Sequence, residues 1–216
     1  MKQAPVTFVL ASALVLGGAV STATADDSAA PAGMAVGVDL ELAPSGSITT
    51  QFGSSRSTTD AAASYGIGGL FDVGVSRYLS VGFAPRYLLN VKTSDSQNNP
   101  GGSNDTATEL DLRARIAAHI PIANKLQGYG YVSPGYSIIF APSNSNSSDN
   151  PAGLSLGFGG GVAYQINPTL ALTGELGYQV GYQSVTVDVL GIKSDIDFET
   201  RYLHFGVGLV MAIDNR

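Results

Sequence analysis

Few residues in this chain are spaced for catalysis. Gly153-Leu154-Ser155-Leu156-Gly157 has the G-x-S-x-G form in which hydrolases expose a nucleophilic serine on a strained strand-to-helix turn. The context is missing: Phe158-Gly159-Gly160-Gly161 continues a strand pattern and no helix follows, so Ser155 reads as a small packing residue. The only histidines, His119 and His204, are the remaining bases. His119 falls beside a short turn and His204 inside a strand, at a different height from Ser155, so His204 reads as a hydrogen-bonding group. Glu109 with Asp111, and Asp195 with Asp197, offer carboxylate pairs to a divalent cation, but calcium takes six to eight oxygens, and solvated acidic edges are expected instead. Asp95 to Asp105 lacks the closing glutamate of a calcium loop and reads as a surface loop. No catalytic residue, metal or cofactor is expected.

Composition narrows the alternatives. The chain has 216 residues, 17 acids against 11 bases, 27 glycines and no cysteine or tryptophan. Without a basic run there is no footprint for nucleic acid, and without cysteine there is no disulfide framework or thiolate chemistry. Lys2, the apolar stretch Val6 to Leu16 and the small-x-small string Ala23-Thr24-Ala25 have the layout of a secretory signal peptide over residues 1–25. A short polar segment, 26–33, then leads into a single domain, 34–216.

The elements of that domain show a two-residue period. Leu110, Leu112, Ala114, Ile116, Ala118 and Ile120 alternate with Glu109, Asp111, Arg113, Arg115 and His119, so the ionisable groups share one face. Similar alternation runs through Val36–Leu42, Tyr65–Val75, Leu79–Val91, Leu154–Ile166, Leu170–Tyr182 and Leu203–Ile213. Leu126 to Ala141 completes eight strands, although Gly128, Gly130, Pro134 and Gly135 leave its facing, and that of Tyr129 and Tyr131, open. Long polar connections near 44–61, 93–107, 142–152 and 183–202 alternate with short ones near 76–78, 121–125 and 167–169, which makes neighbouring strands antiparallel.

Alternation alone fits both a soluble sandwich and a membrane barrel; the polar face separates them. It is mostly glycine, serine and alanine with isolated charges, suited to a narrow interior rather than a solvated surface. Strands of about 11 residues tilted near 45° span the apolar height of an outer membrane, and closure leaves no backbone edge in lipid. The expected fold is all-β, an eight-stranded antiparallel up-and-down transmembrane β-barrel. Signal peptide, strands, long loops and short turns together resemble the small outer-membrane β-barrel family of the outer-membrane protein A, X and W type. The resemblance implies residence in the outer membrane of a Gram-negative cell, contact with its lipid and lipopolysaccharide, and an extracellular protein partner reached through the loops. Many members finish on an aromatic residue, whereas this chain ends Ile213-Asp214-Asn215-Arg216. Tyr65, Tyr87, Phe140 and Tyr182 on one side, and Tyr78 and Tyr164 on the other, are placed for an aromatic girdle.

Two local expectations follow. Counting from the turns brings Asp39, Arg86, Arg113, Glu175 and His204 to similar heights in the lumen, where they are expected to form a charge cluster centred on Glu175 that plugs the interior. In the last long connection, Val185, Val187 and Val189, then Ile196 and Phe198, alternate with polar residues as a hairpin. Carrying the flanking strands on without a bulge turns these apolar residues to the lumen side and the acids outward, so the hairpin is expected to project beyond the bilayer, its valines near Ile48 or Phe52. The functional expectation is a non-enzymatic envelope protein with a structural or adhesion-like role. The alternatives are an acyl-modifying enzyme of the outer leaflet and a narrow conduit for small or apolar solutes.

Overall fold

A computed structural model describes residues 33–92, 106–140, 150–189 and 192–213. The expected signal peptide, the polar segment up to residue 32, the Asp95–Asp105 loop, residues 190–191 and the last three residues lie outside the described residues, as does the side chain of Val189. Ten strand segments occur: β1 (Met34–Phe52), β2 (Ser55–Ala61), β3 (Ser64–Ser76), β4 (Leu79–Phe83), β5 (Arg86–Val91), β6 (Ala107–Ala123), β7 (Leu126–Phe140), β8 (Ala152–Asn167), β9 (Leu170–Val189) and β10 (Ile192–Ile213). All pairings are antiparallel, and β1 pairs with both β10 and β3, so the sheet closes into a ring.

The ten segments are eight physical strands. β4 and β5 keep one register against β3, since Phe71 faces Phe83 and Gly68 faces Arg86, and one register against β6. They are a single strand interrupted at Ala84-Pro85, where proline has no N–H to give to the ladder. Neighbouring backbone bonds persist there: the Gly69 amide donates to the Pro85 carbonyl at 2.8 Å and the Ala84 amide to that of Arg113 at 2.7 Å. β2 and β3 likewise share one register against β1 across Ala62-Ala63. A bulge between Leu88 and Val91 is accommodated by Asn90 at φ 61°, a left-handed conformation asparagine tolerates better than most residues.

The faces sort by chemistry. Val38, Leu40, Ile67, Leu156, Phe158, Val207 and Met211 are among the exposed apolar residues on the outer wall, and Tyr65, Tyr87, Phe140, Tyr182, Tyr78 and Tyr164 are exposed too. Glu41, Asp72, Arg86, Glu109, Asp111, Arg113, Arg115, Gln179 and His204 are buried inside. This is the reverse of a soluble protein and is what a lipid solvent selects. Tight turns at 77–78, 124–125 and 168–169 mark the periplasmic end. The facing left open in β7 is settled: Tyr131, Ser133 and Ser137 are buried in the lumen, while Val132, Tyr136 and Phe140 are exposed outside.

One expectation needs correction. The connection near 44–61 is not a loop but a hairpin, in which the upper half of β1 turns at Gly53 (φ 59°) into β2. Its Ser/Thr-rich sequence shows no apolar period because neither face meets lipid, yet its threonines suit a strand. β1, β9 and β10 have 19, 20 and 22 residues, against about 9–11 needed to cross a bilayer, so β2, β1, β10 and β9 form a four-stranded sheet longer than a crossing requires. No bulge interrupts the β9–β10 ladder from Leu170–Met211 to Val189–Ile192. Val185, Val187, Ile196 and Phe198 are half-buried while Thr186, Asp188, Asp195 and Asp197 are exposed. Phe52, Ile196 and Val185 form one cross-strand row on the inner face. At the foot of this sheet Ala43, Ala61, Leu88, Val91 and Tyr202 form a small apolar core, with Ile48 and Ala107 packed on it.

Candidate functional site: the lumen and its charge tiers

Alternate positions on every strand converge on the barrel axis, and an eight-stranded barrel leaves room there only for side chains. Those side chains form two tiers. In the upper tier, Arg86 and Asp111 are cross-strand neighbours, both without exposed side-chain surface, with Arg86 Nη2 donating to Asp111 Oδ2 at 2.6 Å and Nε to the same oxygen at 3.2 Å. Gln179 Nε2 donates to that oxygen at 2.6 Å. Glu109 is also fully buried, and Gln183 bridges Ser137 and Thr200 at 2.6 and 3.2 Å.

In the lower tier, Glu41 lies 3.8 Å from Arg113 and 3.0 Å from His204 Nδ1. Arg115 pairs with Asp72 at 3.2 Å and Glu175 at 4.0 Å, its guanidinium 5.1 and 4.7 Å from the ring centroids of Tyr129 and Tyr131. Both phenols donate to Glu175, each at 3.1 Å. Asp39 is in Coulomb range of Glu41, Glu175 and Arg113. Toward the periplasm the lumen opens into a cavity of about 360 Å³, lined by Asp72, Arg115, His119, Tyr129, Glu175 and others.

The residues expected in the cluster are therefore all luminal, and His204 and Asp39 do lie near Glu175, but neither expected arginine is its ion-pair partner. Arg86 belongs to the upper tier with Asp111; Arg113 meets Glu41; the guanidinium paired with Glu175 is that of Arg115. Strand tilt and stagger displace residues counted from a turn, so equal counts on different strands do not give equal heights. Glu109 and Asp111 are not a solvated rim: both are 0% exposed. Asp195 and Asp197 do lie in water. Arg115, Asp111 and Glu109 were findable, since they share the charged face of β6, and Glu41 shares the column of Asp39. The contact between Ser80 Oγ and His119 Nε2, 2.8 Å, with Asp72 Oδ2 3.2 Å from the same hydroxyl, joins three strands and had no sequence signal. Ser155, in β8, is a buried luminal residue.

A closed ring with an apolar exterior and an ion-paired interior defines an integral outer-membrane barrel. The chain belongs to the outer membrane protein beta-barrel domain family, whose model matches residues 11–214. Among solved structures it resembles the outer membrane protein OprG from Pseudomonas aeruginosa, at 16% identity and a TM-score of 0.61, over 87% of this chain and 99% of that one. It also resembles the outer membrane protein AlkL in lipid bilayers, at 14% identity and a TM-score of 0.50, over 91% of this chain and 99% of the other. No curated protein matches the chain. The protein resides in the outer membrane.

Proposed function

We propose that this barrel is a structural and surface-interaction protein whose working part is the projecting sheet and whose lumen acts as a brace. The observation that carries this reading is the pairing pattern above the membrane. Among the described residues β2 pairs only with β1, and β9 beyond Ser184 pairs only with β10. Along β2 and at Val185–Val187 of β9 these edges present, among the described residues, a strand side that no other ladder occupies, open to an extended segment of an extracellular protein, a recurrent mode of strand addition. The outer face, with Arg56, Glu199 and Arg201 ion-paired and Asp195 and Asp197 exposed, suits the aqueous side of a lipopolysaccharide layer. Catalysis is no part of this reading: the Ser80–His119 pair sits near the periplasmic turns, far from outer-leaflet acyl chains, and Ser80 is buried. Replacing residues 185–198 by an Asn-Gly turn is expected to leave insertion intact, as read by heat-modifiable electrophoresis. Attachment of the displaying cells to an epithelial monolayer should fall about tenfold, one to two kcal/mol of contact. Undiminished attachment rejects the reading.

A second reading, a narrow conduit for small or apolar solutes, is favoured by the wall. Pro85 and Pro134 interrupt the ladders on the two sides of β6, opposite Leu112 and Ala114 by the registers of the flanking pairs. Planar-bilayer recording separates the two: a braced lumen gives no steady conductance, whereas a steady opening supports the conduit.

A further inference from the structure

We propose that Glu41, Glu175 and His204 form a divalent transition-metal site in the lumen, loaded through the periplasmic cavity. The site is independent of how the projecting sheet is used. It rests first on register. Glu41 on β1 faces Gly206 on β10, and Gly206 faces Glu175 on β9, so two carboxylates share one rung with no side chain between them. His204 follows on the same face of β10, opposite Gly177. A methyl group at Gly206 would lie 2.9 Å from Glu175 Cγ, and one at Gly177 would collide with His204 Nε2 and the Tyr131 hydroxyl. The glycines leave the space in which the three donors meet.

The donors themselves point the same way. One ligand atom from each residue lies within 4.8 Å of the other two. Glu41 is 3% exposed and His204 0%, yet both Glu41 oxygens and His204 Nδ1 make no aligned hydrogen bond. His204 Nδ1 and Glu41 Oε2 are 3.0 Å apart, so an imidazole nitrogen and a carboxylate oxygen already stand at ligand-to-ligand spacing. Around them stands an outer shell of the kind that orients metal ligands: the Tyr131 hydroxyl is 3.1 Å from Glu175 Oε1 and 3.5 Å from His204 Nε2, and Tyr129 holds Glu175 Oε2.

Charge gives a separate reason. Asp39, Glu41, Asp72 and Glu175 outnumber Arg113 and Arg115, the arginines paired in the lower tier, and Arg86, which reaches Glu41 from above, is already paired with Asp111, so the tier carries an excess of carboxylates. A divalent cation offsets that excess. Arg115 keeps Asp72 and its two tyrosines, and Arg113 keeps the Ala84 carbonyl at 3.1 Å, when the glutamates turn to the metal. One imidazole and two carboxylates are too few oxygens for calcium and suit zinc, which binds three protein ligands and leaves a position for water. Tetrahedral zinc sets donor atoms about 3.4 Å apart, so the Glu41–His204 pair at 3.0 Å needs little change and the widest separation, at most 4.8 Å, closes by about an ångström.

The test uses the full-length chain refolded in detergent and checked for heat-modifiable migration. Zn²⁺ is titrated against a chromophoric chelator. The expected result is one Zn²⁺ per barrel, weakened on the order of 100-fold by His204→Asn or Glu175→Gln and unchanged by His119→Asn. A folded wild type that leaves all zinc with the chelator overturns the proposal. So does a His204→Asn protein that binds equally well, or loss of binding in His119→Asn alone. Should the variants fail to fold, the wild type loaded with Co²⁺ decides: visible bands of a four- or five-coordinate ion with a nitrogen ligand support the site, and their absence overturns it.

Discussion

Replacing Arg86 by methionine is expected to cost the barrel about 3 to 5 kcal/mol, the largest loss of any single luminal substitution. Arg86 and Asp111 have no exposed side-chain surface, and Glu109 beside them is equally buried. Among the described residues the Arg86 guanidinium is the cation ion-paired in the upper tier, with Arg113 reaching Glu109 from below. Without it two carboxylates stand in a space that bulk water does not reach, and Gln179 alone remains to donate to Asp111. Removing the second charge as well, in Arg86→Met with Asp111→Asn, should recover part of the loss, because the penalty lies in the unpaired charge rather than in the absent pair. Urea unfolding of both variants in lipid vesicles measures this. A loss below about 1 kcal/mol, the size of a solvated ion pair, would mean that water fills the tier.

Val207→Arg should cost about 2 to 4 kcal/mol if its neighbours are acyl chains. Val207 is 60% exposed and sits near the middle of the outward apolar run Leu203–Ile213 of β10, across from the exposed Leu40. In water such a substitution on an exposed strand position changes stability by less than about 0.5 kcal/mol. The same arginine placed at Thr186, on the outer face of the projecting hairpin, should cost nothing measurable, because that position lies above the apolar band. The difference between the two sites in vesicle unfolding therefore maps the membrane boundary along β9 and β10. Equal, small costs at both would contradict the facing of the whole wall.

Much of the architecture was legible because lipid imposes a hard rule on alternate residues. In β6, every ionisable group from Glu109 to His119 falls on one parity, and β6 has that facing. The inversion of the last hairpin was legible too, since Val185 and Phe198 can be followed by parity from strands whose facing is fixed. The first hairpin was not, because Ser45 to Thr59 lack an apolar period where neither face meets acyl chains. The break at Ala84-Pro85 was hidden for another reason: proline forfeits one ladder bond without disturbing the alternation around it.

The sequence by itself determined the number of strands crossing the membrane, the facing of all but β7 and the outward band of apolar residues, because a period of two is a local property read along one strand, and in β7 glycines and a proline blur it. Which luminal charges meet was decided only by the tertiary structure. Pairing across the axis depends on stagger, on ring closure between β1 and β10, and on glycines such as Gly177 and Gly206 that let distant strands bring their side chains together. None of these is a property of one strand alone, which is why Arg86 found Asp111 and Glu175 found Arg115.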